Sequence, residues 1–322
     1  MKRISTIVAG VAGVLALAAV STGRAVAADN AAPAAAPAAP AEAAPAKAPE
    51  GFDKAREVPH GRVATEEYDS KALGFKRKLT VYTPPGFKKD DKDKKYPVLY
   101  LLHGAGDDET GWQKKGAADV IMDNLYADGK AEPMLVVMPF GYATRPGEPT
   151  RNPNATPEER RKASGDFERD LLTDVIPFVE SHYPVIADQA HRALAGLSMG
   201  GGQTMRIGPT HSDVFAYLGV FSAGIGGRRP AAPAGGAAPA AAPPPDATAS
   251  YPDADTLNAR LKLFWVSCGD RDPGLEGAKK LDQTLNEKKI KHVWHQDTGK
   301  HEWPVWRNDL YLFAQRLFKD GK

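Results

Sequence analysis

Cysteine is all but missing from the 322-residue chain: Cys268 stands alone, so no intramolecular disulfide can form. It closes the apolar run LKLFWVSCG, where a buried, inert thiol is expected rather than a reactive one. An excess of either charge is missing too. Lysine and arginine number 42 against 40 acidic residues, for a net charge of +2. The densest basic run, KKDDKDKK from Lys88 to Lys95, carries its own aspartates. Binding to phosphates needs a clustered basic face, so no nucleic-acid partner is expected. Beyond the N-terminus no apolar run approaches the roughly 20 residues that cross a bilayer. There is no HExxH, no Cys/His cluster, no GxxxxGK before Ser or Thr, and no GxGxxG after a strand. Neither a metal nor another cofactor is therefore expected. The acidic triplet Asp107, Asp108 and Glu109 reads as a solvated turn.

Alanine and proline, by contrast, are concentrated in two tracts. The N-terminus has the layout of an export signal. Lys2 and Arg3 precede an apolar stretch from Ile7 to Val20, and Ala25-Val26-Ala27 offers a cleavage site after Ala27. The interruption from Ser21 to Arg24 argues against an uncleaved anchor. Residues 28–50, mostly Ala and Pro, cannot bury enough apolar surface to order themselves and read as a stiff tether. A tract of the same kind at 229–250 reads as an insertion, because core-like strands resume at Leu261. The organisation expected is a signal peptide at 1–27, a linker at 28–50, and one folded domain at 51–322 with a disordered insertion. The predicted location is secreted or periplasmic.

Within that domain strand and helix patterns alternate. Glu66 to Ser70, Lys78 to Thr83, VLYLL at Val98 to Leu102, MLVVM at Met134 to Met138, Arg192 to Ala195, Phe215 to Phe221, Leu261 to Ser267 and His292 to His295 read as strands. Phe167 to His182 carries apolar residues at helical spacing. Helices are also expected from Gly200, over Leu275 to Glu287, and over Pro304 to Phe318. Such alternation predicts an α/β fold, a mostly parallel sheet with helices on both faces. Asn154-Ala155-Thr156 fits a glycosylation acceptor without establishing a glycosylating host.

Gly196-Leu197-Ser198-Met199-Gly200 is a G-x-S-x-G placed between an apolar strand and a helix-compatible stretch. In that setting the serine sits on a sharp turn that lifts its hydroxyl above the sheet, and flanking glycines remove colliding Cβ atoms. A serine hydroxyl needs a base, and the base needs an orienting acid. After such an elbow the chain order is Ser, acid, His. GDRDPG, at the end of a later strand, supplies Asp270 and Asp272. Asp272 lies farther into the loop and is preferred, with Asp270 read as a turn former. His301, in TGKHEW before the last helix, is the base. His292 and His295 lie in a strand-like KHVWH, and the remaining histidines fall outside the expected order. Backbone N–H groups of Met199 and Ala105, the latter in the HGAG loop after VLYLL, would hold an oxyanion. His103 reads as a support for that loop.

HRALAGLSMGGGQ, FERDLLTDVIPFVESHYPV, HGAGDDETGW, FAYLGVFSAG and GKHEWPVW together resemble the feruloyl and acetylxylan esterases of carbohydrate esterase family 1, within the esterase D-like α/β-hydrolases. The resemblance spans roughly Val63 to Phe318. It implies an α/β-hydrolase fold and hydrolysis of esters that decorate plant cell-wall polysaccharide. It places the nucleophile, acid and base at Ser198, Asp272 and His301. Trp303, Trp306 and Tyr142 are candidates to line an aromatic acyl pocket. Two other expectations compete: an esterase for another exported small ester such as a siderophore, and an inactive hydrolase-fold protein that only binds.

Overall fold

The computed structural model describes residues 47–319 apart from 92, 146, 151, 153 and 227–247. The export signal, the tether up to residue 46, and all of the insertion but residues 248–250 therefore lie outside the described residues. Where the chain enters view it is already docked: Ala48 is buried and its N–H donates to Asn308 Oδ1 at 2.7 Å.

Eight strands form one sheet. β1 (Arg62–Ser70) and β2 (Phe75–Thr83) make an antiparallel hairpin, followed by β3 (Val98–Leu102), β4 (Leu135–Pro139), β5 (Arg192–Leu197), β6 (Tyr217–Phe221), β7 (Leu263–Gly269) and β8 (Val293–Asp297). Their spatial order is β1-β2-β4-β3-β5-β6-β7-β8. The hairpin joins β4 antiparallel, and every pairing from β4 to β8 is parallel. This is the mostly parallel sheet that the alternation predicts.

Side chains of a strand alternate between faces, and here both faces are covered, so the central strands are apolar throughout. Val98, Tyr100 and Leu102 of β3 enter one core with Phe167, Val179, Ile207 and Leu281. Leu99 and Leu101 enter the other with Ile121, Leu310 and Phe313. The helices supplying the first core are α3 (Pro157–Asp170), α4 (Ile176–His182), α5 (Met199–Thr210), α6 (Ala254–Arg260) and α7 (Leu275–Glu287). The second face is covered by α1 (Gly111–Lys114), α2 (Ala118–Ala127) and α8 (Trp303–Ala314).

Four helices differ from the pattern reading. The helix expected from Phe167 starts ten residues earlier, at Pro157, and passes through a π-helical turn at Leu171–Val175. Its first turns bury nothing and so show no apolar period. They are nucleated by a reciprocal cap instead: Glu159 N–H donates to Thr156 Oγ1 at 3.2 Å, and Thr156 N–H to Glu159 Oε2 at 2.7 Å. The short helices α1, α2 and α6 were not foreseen.

One buried group on α8 has a consequence for stability. Asp309 is fully buried, and only the Ser267 hydroxyl offsets part of the cost to its carboxylate. Burial, with a further push from Asp297 and Asp272, raises its carboxyl well above the ordinary range. The folded chain thus keeps a proton that the unfolded chain releases near pH 4, and its stability falls with rising pH through that window. Asp309→Asn removes this dependence. Relative to wild type, the variant should gain up to about 1.4 kcal/mol of stability per pH unit above about pH 4 until the folded-state pKa is reached. Chemical denaturation at several pH values reads that slope. A difference between the two proteins that stays constant with pH would mean Asp309 is already ionised.

Candidate active site

The parallel strands deliver their C-terminal ends to one edge, where α/β sheets open crevices. The register pairs Leu197 with Phe221 and Gly269 with Asp297. The residues just beyond, Ser198, Ser222, Asp270 to Asp272 and Thr298 to His301, are therefore gathered although far apart in sequence.

Ser198 occupies the turn between β5 and α5 with φ 52° and ψ −109°, a conformation that costs a non-glycine residue on the order of 1–3 kcal/mol. Its N–H donates to Phe221 O at 2.8 Å, which ties the turn to the next strand. The flanking glycines are sterically required. A Cβ on Gly200 would lie 2.6 Å from Leu102 O and 2.7 Å from His103 O, and one on Gly196 would lie 2.6 Å from the Gly200 carbonyl carbon. These are backbone atoms that cannot swing aside. Gly200→Ala should accordingly lose about 3 kcal/mol or more, seen as a large drop in Tm. An unchanged Tm would show that the turn has room to relax.

His301 stands between the two polar partners. Its Nε2 is 2.8 Å from Ser198 Oγ and its Nδ1 is 2.8 Å from Asp272 Oδ2. With Nδ1–H donated to the carboxylate, Nε2 accepts from the serine hydroxyl. Asp272 is buried, and its other oxygen accepts the Gly274 N–H at 2.7 Å. Burial alone would raise this carboxyl, but hydrogen bonds from His301 and Gly274 outweigh it and hold the group below the ordinary carboxylate range. Asp270 contacts no part of this line. Its Oδ1 accepts the Gly299 N–H at 2.8 Å and so shapes the loop that carries His301.

The loop after β3 faces Ser198 from the other side. Neither the Ala105 nor the Met199 N–H donates a hydrogen bond among the described residues; Met199 follows the serine directly, and a Cβ on Gly104, next to Ala105, would lie 3.6 Å from Ser198 Cβ. His103 braces this loop. Its Nε2 accepts the Gly141 N–H at 2.9 Å, so Nδ1 carries the proton given to Gly104 O at 2.8 Å. Burial lowers its pKa, in keeping with a neutral ring. Tyr142 braces the loop too, its hydroxyl accepting the Gly106 N–H at 2.7 Å. The segment carrying Gly141 and Tyr142 is held in turn by buried Arg77, which donates to Tyr142 O at 2.6 Å and to Phe140 O and pairs with Asp170 at 3.1 Å.

A cleft of about 820 Å³ lies beside the serine; Ser198, Asp272 and His301 are not part of its lining. Ala105, Gly106, Tyr142, Met199, Gln203 and Arg206 are among its walls, with Pro149, Thr150 and the first turns of α3 beyond them. Of the three aromatic residues considered for an acyl pocket, Tyr142 lines the cleft, whereas Trp303 and Trp306 do not. Trp306 is buried, with its ring edge-on to His301 at 5.0 Å and its indole N–H donating to Ser222 Oγ at 2.9 Å. Trp303 stacks edge-on between Trp112 and Trp306. Cys268 is buried, and its thiol is pushed up to about 12 by that burial and by Asp272 and Asp309, so it is a poor nucleophile.

Ser222 and Gln203 are the neighbours of this site that sequence reading missed. Gln203 donates to Gly141 O at 2.7 Å and so ties α5 to the bracing segment. The only local hint to Ser222 is its place just past an apolar strand, the place Ser198 holds after β5.

Comparison with known proteins gives the family. The Esterase family model matches residues 70–316. The chain is 32% identical over 278 residues to an endo-1,4-beta-xylanase/feruloyl esterase of Xylanibacter ruminicola, covering 85% of this chain and 34% of that protein. It is 30% identical over 169 residues to endo-1,4-beta-xylanase Y of Acetivibrio thermocellus, spanning 14% of that protein. The chain therefore spans about a third or less of these curated relatives. Among solved structures, a CE1 ferulic acid esterase from Anaeromyces mucronatus in complex with ferulic acid superposes with a TM-score of 0.69 at 25% identity, over 84% of this chain and 96% of that one. The feruloyl esterase module from Clostridium thermocellum complexed with sinapinate shares the fold, with a TM-score of 0.63 at 22% identity over 86% and 94% of the two chains.

Proposed function

The chain belongs to the Esterase family, whose members include carboxylic ester hydrolases resembling those of carbohydrate esterase family 1, and from that premise we propose that it is an exported serine esterase acting on feruloyl or acetyl esters of plant polysaccharide. The observation that carries the chemistry is the continuous hydrogen-bonded line from Asp272 Oδ2 through His301 to Ser198 Oγ, 2.8 Å at each step. The amides of Ala105 and Met199 beside the serine support a hole for a developing oxyanion.

In this reading His301 Nε2 takes the Ser198 proton as Oγ attacks the ester carbonyl. Asp272 keeps the ring oriented and stabilises the imidazolium. The carbonyl oxygen, now negative, is held by the Ala105 and Met199 N–H groups. As the tetrahedral adduct collapses, His301 protonates the leaving alcohol and the acyl group stays on Ser198. Water then attacks the acyl-enzyme with His301 again as base, releasing the acid. The cleft that Ala105 and Met199 help to line is the space for the substrate, with Tyr142 as its aromatic wall. The feruloyl assignment rests on the relatives, one named for xylanase and feruloyl esterase and another seen with ferulic acid. Export rests on the pattern from Lys2 to Ala27. No helix among the described residues is long and apolar enough to cross a membrane.

Turnover of methyl ferulate and of a short-chain acetyl ester, measured side by side, tests the substrate. Ferulate hydrolysis is the expected result. Hydrolysis of the acetyl ester alone would keep the esterase and move its substrate to acetylated glycans. Inactivity on both, in folded protein, would overturn the reading.

A further inference from the structure

Two non-glycine residues at this edge of the sheet share a left-handed backbone with φ 52°, and only one of them is the elbow serine. The other is Ser222, immediately after β6. It is 4% exposed, and its N–H donates to Ser267 O at 2.8 Å. A strained, buried serine whose hydroxyl merely filled space would be an unneeded cost. Its hydroxyl is engaged: Trp306 Nε1–H donates to Ser222 Oγ at 2.9 Å, and the same indole lies edge-on to His301 with ring centroids 5.0 Å apart. Gly274, whose N–H holds Asp272 Oδ1, lies close to the Ser222 carbonyl as well. A Cβ built there would be 3.1 Å from Asp272 Oδ1 and 3.8 Å from Ser222 O.

A hydroxyl that accepts one hydrogen bond still has its proton to give. The two acceptors that the Ser222 hydroxyl influences are the Asp272 carboxylate and the Cys268 thiol. An ionised carboxylate is a far stronger acceptor than a thiol sulfur. The influence of the Ser222 hydroxyl on the Asp272 carboxyl is in the lowering direction and comes after those of His301 and Gly274.

We propose that Ser222 is a positioning residue of the site: with its oxygen occupied by the Trp306 indole, its proton is directed to Asp272, and the Trp306–Ser222 pair fixes the carboxylate that orients His301. Trp306 then acts twice on the same histidine, by ring contact and through this relay. The inference rests on the Ser198–His301–Asp272 reading and adds two residues that act only through it. Neither touches the cleft, so both should affect the chemical step and leave substrate binding alone.

The test is kcat and KM on whichever ester the wild type hydrolyses, for Ser222→Ala, Ser222→Gly, Trp306→Phe and the Ser222→Ala/Trp306→Phe pair, with Ser198→Ala alongside. Glycine fits φ 52° without strain and so keeps a folded variant in hand. It also separates the hydroxyl from the backbone. Ser222→Ala and Ser222→Gly should each lower kcat about ten-fold, about 1.4 kcal/mol of barrier, with KM within about two-fold. Because both substitutions cut one relay, Trp306→Phe should cost much less on either Ser222 variant than on wild type. Wild-type kcat in both Ser222 variants, or fully additive losses in the pair, would overturn the relay. If that happened while Ser198→Ala remained inactive, only the relay would fall. Wild-type turnover by Ser198→Ala would instead remove the catalytic reading on which it rests.

Discussion

Ser198→Ala is expected to lower kcat by about 10⁶-fold while leaving the fold intact. The size of the loss follows from where the reaction's covalent bond is made. Without Oγ there is no acyl-enzyme, and His301 has no hydroxyl to activate; only the oxyanion amides and the binding cleft remain. Alanine retains the Cβ that the strained turn already accommodates, and Ser198 N–H still reaches Phe221 O. Stability should therefore change by less than about 1 kcal/mol. The control is covalent: a fluorophosphonate should label the wild type at Ser198 and leave the alanine variant unmodified. Folded wild type that resisted labelling would favour a binding-only protein on a hydrolase fold.

The second large effect concerns the two aspartates of the GDRDPG loop. Asp272→Asn should reduce kcat by about 10⁴-fold, because an amide can donate to Nδ1 and so stabilise the tautomer that presents N–H rather than a lone pair to Ser198. Little overall packing change is expected, since asparagine is nearly isosteric and Gly274 N–H can still donate to the retained oxygen. Asp270→Asn should differ by at least two orders of magnitude. Its task is to accept the Gly299 N–H, which the amide oxygen can do as well. Steady-state kinetics on both variants checks this directly. Comparable losses would mean that the loop, and not one carboxylate, is what His301 depends on.

The elements most legible from sequence are those whose burial imposes a regular apolar pattern from end to end. VLYLL becomes β3 with the same two ends, because both faces of the central sheet are covered and every residue must be apolar. Leu275 to Glu287 likewise becomes α7 without adjustment, since one stripe alone, through Ala278, Leu281 and Leu285, is buried. The beginning of α3 shows the opposite case. It lies over the cleft, presents charged residues outward, and is held by a cap rather than by an apolar stripe, so hydrophobic periodicity does not see it. The edge helix α2 starts from Ala117 in a left-handed conformation, with no side-chain cap to announce it.

By itself the sequence determined the alternation of strands and helices that makes an α/β fold and the glycine-flanked serine between a strand and a helix, while its resemblance to a known family implied the hydrolase form of that fold. Those are local facts: an apolar run, glycines around a serine, a turn before a helix. The tertiary structure alone decided that Tyr142 joins His103 in bracing the loop opposite Ser198, that Trp306 faces the histidine and not the cleft, and that Ser222 lies against Trp306. The contacts of Tyr142 with Gly106 and of Trp306 with Ser222 join residues 36 and 84 positions apart, which only the folded sheet brings together. No pattern of neighbours along the chain records where a side chain will land after the sheet has closed.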